Sequence, residues 1–244
     1  MADRAGRRDP VWRAAASFGL RRVYLPEGWL QSRADEEPEE DGMETGAAES
    51  ADEVRRDLAR LREEIGDCTR CRLGETRNRM VFGDGNPAAG IVLVGEGPGA
   101  NEDRTGQPFV GRAGKLLDRI LAAIDLDRES VYITNIVKCR PPKNRAPRGD
   151  EVTACLWMLE EQIRIMRPGV IVALGASAAR TLTGRREGIG VLRGSMHSYM
   201  DVPLMATYHP AALLRSPALK KPVWDDVRQL RDFLDSSGLP RREG

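Results

Sequence analysis

Residues 91–103 read IVLVGEGPGANED: four apolar residues, an alternating glycine turn, then two carboxylates, Glu102 and Asp103. A short apolar run stopped by Gly95 has the length and composition of a strand buried on both faces. A glycine-rich turn at the end of such a strand ordinarily cradles a phosphate with backbone N–H groups, a helix N-terminus and a lysine. Neither phosphate-binding spacing is present. G-x-x-x-x-G-K-[ST] is absent, GRAGKLL at 111–117 is only a partial echo of it, and Gly95, Gly97 and Gly99 alternate without forming G-x-G-x-x-G. Glu96, Glu102 and Asp103 would repel an anion. The turn is better suited to presenting main-chain amides and acids to a neutral or cationic group, with glycines that let a flat ligand approach the backbone closely. Asp103 reads as a solvated or capping residue.

Outward from this strand, further apolar runs fall at 131–137, 170–175 and 203–208. Helical patterns lie around them: Val54, Leu58, Leu61 and Ile65 before the first strand, then 111–124, 150–166, 176–183 and 222–235. Strand alternating with helix predicts an α/β fold with a mostly parallel sheet, here of four strands, covered on both faces. Sites in such sheets sit at the carboxyl ends of the strands. Glu96 and Gly97 follow the first strand, Asn135 lies in the second (VYITNIVKCRPP), and His209 follows the fourth (ATYHPAALLR). His197, in GSMHSYM, has no accompanying motif and reads as structural.

The net charge of +1 conceals three blocks. Residues 1–34 carry seven Arg against three acids, residues 35–53 carry ten acids and no base, and the rest is left at about +7. The acidic block has too few apolar residues to repay ordering and reads as a disordered linker. We expect an N-terminal extension at 1–34 with a short amphipathic helix of unknown partner, the linker at 35–53, a domain at 54–235 and a flexible tail at 236–244. A basic body points to a polyanionic partner. No apolar run nears the roughly 20 residues that span a bilayer. The N-terminus also lacks the apolar core of a secretory signal. The expectation is a cytoplasmic monomer with no membrane partner.

Cys68 and Cys71 form C-x2-C; Cys139 and Cys155 follow at C-x15-C. In a cytosolic chain a disulfide framework is not expected. Two pairs of thiolates suit a tetrahedral metal or an iron–sulfur cluster, and free buried thiols are the plain alternative. Between the second pair run Arg140, Lys143, Arg145 and Arg148. A centre anchored at both ends of that loop would pin a basic segment that can meet phosphates.

Three motifs, GEGPGANEDRTGQPFVGRAGKLL, YITNIVKCRPPKNRAP and YHPAALLR, stand in order with the four spaced cysteines. Together they resemble the family 4 uracil-DNA glycosylases, the iron–sulfur enzymes of the uracil-glycosylase superfamily. The likeness covers roughly residues 54–235. It implies a three-layer α/β/α sandwich, a structural [4Fe–4S] cluster on Cys68, Cys71, Cys139 and Cys155, and removal of uracil from DNA. It also implies that Glu96 and Gly97 lie against the base through their main chain, that Phe109 stacks on it, that Asn135 reads its amide edge and that His209 lies near O2. Glu102 matches a family carboxylate near the C5 edge. One departure concerns water: other uracil glycosylases carry an Asp where Gly97 stands, and glycine cannot act as a base. Glu102, then Glu96, are the candidates to orient water in its place.

The chemistry fits these residue types. Breaking an N-glycosidic bond builds negative charge on the departing base, so a preorganised donor at O2 such as a neutral His209 contributes about 3 kcal/mol. An asparagine amide offers one acceptor and one donor, matching N3–H and O4 of uracil and mismatching cytosine. The target is stacked in duplex DNA and must be turned out. Leu213 and Leu214 are possible apolar wedges beside Arg215, Lys220 and Lys221 for phosphates, or the start of a core helix. Two other functions compete: a non-turnover binder that traps its product covalently, and a zinc-stabilised nucleic-acid-binding module. The binder branch uses a nucleophilic His after the second strand, and Lys138–Glu151 contains none.

Overall fold

The computed structural model describes residues 50–239. The extension expected at 1–34, most of the acidic block and the last five residues lie outside that range. Within it the helices are α1 (Ala51–Ile65), α2 (Leu73–Thr76), α3 (Ala100–Thr105), α4 (Arg112–Ala122), α5 (Gly149–Met166), α6 (Ala176–Thr183), α7 (Ile189–Leu192), α8 (Pro210–Arg215) and α9 (Lys220–Ser237). The strands are β1 (Asp84–Gly85), β2 (Ile91–Gly95), β3 (Tyr132–Asn135), β4 (Val170–Leu174), β5 (Met196–Tyr199) and β6 (Val202–Thr207).

The strands form one sheet in the order β1-β3-β2-β4-β6-β5. Its four inner strands are parallel and correspond to the four apolar runs of the sequence. Antiparallel β1 and β5 add the two edges, so the expected four-stranded sheet is corrected to six. Both edges escape a pattern search for physical reasons. β1 is two polar or glycine residues. β5 joins β6 through Met200 and Asp201, both at positive φ (51° and 63°). Hairpins favour that mirror-image turn, but Asn-Gly or Asp-Gly usually builds it.

Alternate strand residues face opposite layers, as the pleat requires. Val92, Val94, Ile171, Ala173, Leu204 and Ala206 belong to one core, closed by α1, α5 and α6. Ile91, Leu93, Val170, Val172 and Met205 belong to the other, closed by α4 and α9. The result is a three-layer α/β/α sandwich. α1 begins inside the stretch expected as linker. Ser50 N–H donates to Glu53 at 2.7 Å and Glu53 N–H donates back to the Ser50 hydroxyl, a capping box that composition alone counts as acidic linker. At the other end α9 runs through Ser237, past the boundary expected at 235, and Gly238 closes it at φ 65°.

β2 and β4 are neighbours, yet the chain leaves β2 toward β3 and leaves β4 toward β6. Such a reversal opens a crevice at the carboxyl ends of the two strands.

Candidate functional site

A cleft of about 510 Å³ fills that crevice. Glu96, Gly97, Glu102, Phe109, Asn135 and His209, drawn from three distant segments, all line it. Arg145 and Arg215 also reach it, as do Leu174, Gly175, Ala176 and Ser177. The last four, at the junction of β4 and α6, were missed by the sequence reading. LGAS carried a strand-to-helix signal there but no residue of distinctive chemistry.

Asn135 ends β3 with only 2% of its surface exposed, and its Oδ1 has no hydrogen-bond partner. A buried amide acceptor left unpaired costs about 1–3 kcal/mol, so the fold carries a cost that a ligand N–H would relieve. Gly95 is what permits this arrangement: a Cβ there would fall on Asn135 Oδ1 and within 2.7 Å of Phe109 Cζ. Phe109 itself is held in the left-handed region at φ 52°, and its ring stacks on that of His209 at 5.4 Å between centroids.

His209 precedes Pro210 and caps α8: its Nδ1 accepts the Ala211 N–H at 3.1 Å. Proline at the first helical position suits that geometry. With Nδ1 accepting, the neutral ring carries its proton on Nε2 and can donate there. Burial pushes the imidazole pKa down to about 4; Arg215 lowers it further in the same direction, and Glu102 opposes. The ring is neutral at pH 7.

The two acids of the opening stretch are internal clamps. Glu102 Oε1 accepts the N–H groups of Val110 and Gly111, each at 2.9 Å, which fastens the turn holding Phe109 to the start of α4. Asp103 is 1% exposed and accepts from the Asn78 N–H at 2.9 Å and from its side-chain amide. The expectation of a solvated or capping Asp103 is thereby corrected: its partner lies 25 residues upstream, where no local pattern reveals it. At Gly97 an added Cβ would come within 2.7 Å of the buried Val137 Cγ2, so the position has no room for a side chain.

Among the basic residues, Lys143 and Arg148 are exposed and Arg140 donates to Asn144 at 2.8 Å. Arg145 is different. Its guanidinium makes a two-pronged pair with Glu151, which is fully buried, at 2.8 and 2.6 Å. Leu213 is 4% exposed and belongs to the core, which corrects its place as a wedge; Leu214, next to it, is 40% exposed.

All four cysteines are free of disulfides; Cys139 and Cys155 are buried. Among the described residues, no group of three or more His, Cys, Asp or Glu side chains closes on a single ion. Burial pushes the Cys139 thiol up to about 11 and raises that of Cys155, while Arg77 beside the first and Lys138 beside the second pull the other way. Arg77 donates to Cys139 Sγ and the Lys138 N–H to Cys155 Sγ, both at 3.3 Å. Arg77 also binds Cys68 O at 2.6 Å and pairs with Asp67. An all-thiol set with N–H donors and a guanidinium beside it fits an anionic iron–sulfur core. Arg77 and Lys138 were invisible to the sequence reading: the first lies six residues past Cys71 and the second next to Cys139, and a lone basic residue at either place carries no pattern.

Fold and site thus define a class: a three-layer α/β protein whose switch-point cleft brings together a buried asparagine amide, a phenylalanine ring and a neutral histidine. Comparison with known proteins specifies it further. Residues 82–228 match the uracil DNA glycosylase superfamily. The type-4 uracil-DNA glycosylase of Pyrobaculum aerophilum is 45% identical over 74% of this chain and 99% of its own length. Those of Thermotoga maritima and Sulfurisphaera tokodaii are 44% and 41% identical, each over 72% of this chain and over 94% and 84% of their own. The chain belongs to the uracil-DNA glycosylase superfamily. Among its described residues no helix is long and apolar enough to cross a membrane.

Proposed function

We propose that this protein is a uracil-DNA glycosylase: it takes a uracil turned out of DNA into the cleft and hydrolyses the N-glycosidic bond, leaving an abasic site and free uracil. One observation carries the reading. The buried, unpartnered Oδ1 of Asn135 shares a cleft with a neutral His209 whose Nδ1 accepts the Ala211 N–H, which leaves the ring proton on Nε2.

Asn135 Oδ1 accepts uracil N3–H while its amide N–H₂ donates to O4; cytosine presents the reverse and leaves buried groups unpaired. Phe109 covers one face of the ring. As the C1′–N1 bond breaks, its electron pair moves onto the base, and His209 Nε2–H donates to O2 where charge gathers. Water then bonds to C1′, and its proton leaves toward the uracil anion. Glu102, and after it Glu96, orient that water; Glu102 also stands against a C5 methyl group and so against thymine. Lys143, Arg148, Arg140 and Arg215 meet DNA phosphates. With its fork held by Glu151, Arg145 supports that loop from within. Leu214 is the residue exposed to enter the base stack. Cys68, Cys71, Cys139 and Cys155 would hold a [4Fe–4S] cluster, which when bound ties the C-x2-C segment to the basic loop and to α5. The folded region, from the start of α1 at Ala51 to the end of α9 at Ser237, forms the catalytic domain, acting as a monomer in the cytoplasm.

The test is release of uracil from U:G, U:A and single-stranded uracil DNA, with T:G as control, by protein purified without oxygen. We expect uracil release and no thymine release; no release from any uracil substrate refutes the reading. Asn135→Ala should cost at least about a hundredfold in rate while leaving affinity for uracil-free DNA unchanged. Equal loss of both would remove the base-reading role.

A further inference from the structure

Among the described residues Lys138 is the largest fully buried side chain, at 0% exposure. A lysine so enclosed needs partners for three N–H bonds, and it has them. Nζ donates to Thr134 Oγ1 at 2.6 Å, to Gln162 Oε1 at 2.6 Å and to the main-chain carbonyl of Asn135 at 3.0 Å. The last acceptor decides its meaning. Asn135 is the final residue of β3, paired with Gly95 at the end of β2; past it the Ile136 and Val137 N–H groups still donate to Gly95 O and Glu96 O, while the Asn135 carbonyl accepts from the lysine.

Around it the network is closed. Thr134 Oγ1 donates to Phe82 O at 2.9 Å, and Gln162 Nε2 donates to Phe82 O at 3.0 Å and to Tyr132 Oη at 3.3 Å. The main chain of Lys138 is fixed as well: its N–H donates to Cys155 Sγ, and its carbonyl accepts the Val81 N–H at 2.8 Å. All of this lies on the α5 side of the sheet. The Asn135 amide lies on the other side, toward Phe109. The strand end is held from behind while its side chain faces the cleft.

We infer that Lys138 is the positioning residue for Asn135, fixing the strand end so that the amide meets the base edge in one orientation. The inference rests on the base-reading role proposed for Asn135. An amide that can rotate loses selectivity between mirror-image donor patterns, so a fixed backbone there serves the discrimination of uracil from cytosine.

A double-mutant cycle in the full chain tests this. Single-turnover uracil release and duplex affinity are measured for the wild type, Lys138→Met, Asn135→Ala and the double variant, alongside iron content and thermal melting. Lys138→Met should slow release roughly ten- to a hundredfold with duplex affinity unchanged, and should cost less than about threefold once Asn135 is already Ala. Loss of the same size in both backgrounds, or no loss in either, overturns the inference, because a merely structural lysine acts independently of the amide. Should Lys138→Met fail to fold or to retain iron, Thr134→Val takes its place. It removes one of the three acceptors with little change of shape, and its smaller loss should likewise vanish in the Asn135→Ala background. Wild-type inactivity would refute the glycosylase reading instead, and an innocuous Asn135→Ala would refute the base-reading role. Both are seen in arms that leave Lys138 intact.

Discussion

His209 shows how one residue sets a pH range. Its folded pKa of about 4 lies below the ordinary 6.5, with burial the largest cause, Arg215 acting in the same direction and Glu102 against it. The neutral ring that accepts Ala211 N–H and carries its proton on Nε2 therefore persists well below pH 6.5. Single-turnover rates should hold level down to about pH 5 and fall only as pH drops through about 4; a falling limb centred near 6.5 would show an ordinary exposed histidine. Stability follows the same group. Between 6.5 and 4 the unfolded chain binds a proton that the folded chain refuses, so His209 destabilises the fold as pH falls through that window and has no such effect above it. Asn135 and His209 were legible in the sequence because one is a polar residue inside an apolar run and the other follows one, on strands whose carboxyl ends are where α/β sheets place their chemistry. Asp103 and Lys138 were not: their partners Asn78 and Gln162 lie far along the chain, and no local periodicity encodes such pairs.

Two elements near the cleft divide labour along their length. On α8, adjacent leucines point opposite ways: Leu213 is 4% exposed and Leu214 40%. Leu213→Ala should lower stability by about 2–4 kcal/mol, the usual cost of a core cavity, read from chemical denaturation. Leu214→Ala should leave stability unchanged and slow uracil release from duplex more than from single strands, since only the duplex must be opened; an equal effect on both would remove the wedge role. The sequence presented these two as interchangeable, and only the packing of α8 separates them. The loop before α5 offers a second case. Arg145 looked like one phosphate contact among four, but it holds Glu151 at a pKa of about 2, its side-chain hydrogen bonds being the largest cause. Because that carboxyl lies below its ordinary 4.5, the pair's stabilisation is complete above pH 4.5 and is lost as pH falls from there toward 2. Arg145→Ala should lower stability at pH 7, by less than the loss of a fully buried pair because the arginine is 31% exposed. The variant's deficit should shrink in the acid window. A salt-dependent loss of DNA affinity with unchanged stability would return Arg145 to the phosphate contacts.

At the scale of the whole molecule, the inner parallel sheet was legible because strands buried on both faces are written as unbroken apolar runs, whereas edge strands such as Asp84–Gly85 have no such burial to record. Charge is the other property that belongs to the whole chain. Residues 35–49 carry eight acids and no base, next to a body that is basic overall. Their electrostatic effect does not require a particular conformation: a tethered polyanion raises the local concentration of negative charge around the face that DNA phosphates must reach, and so competes with them. Deleting residues 35–49 should therefore tighten binding to uracil-free DNA at low salt. The gain should close as ionic strength rises, because the Debye length shrinks to about 8 Å near 0.15 M and isolates the tether from the cleft. The rate of uracil release at saturating DNA should be the same in both chains, since no residue of the cleft is touched. Filter-binding or anisotropy titrations across a salt series decide the matter. Equal affinity at low salt would mean that the acidic block is held away from the DNA-binding face, and a changed saturating rate would mean that it reaches the site itself.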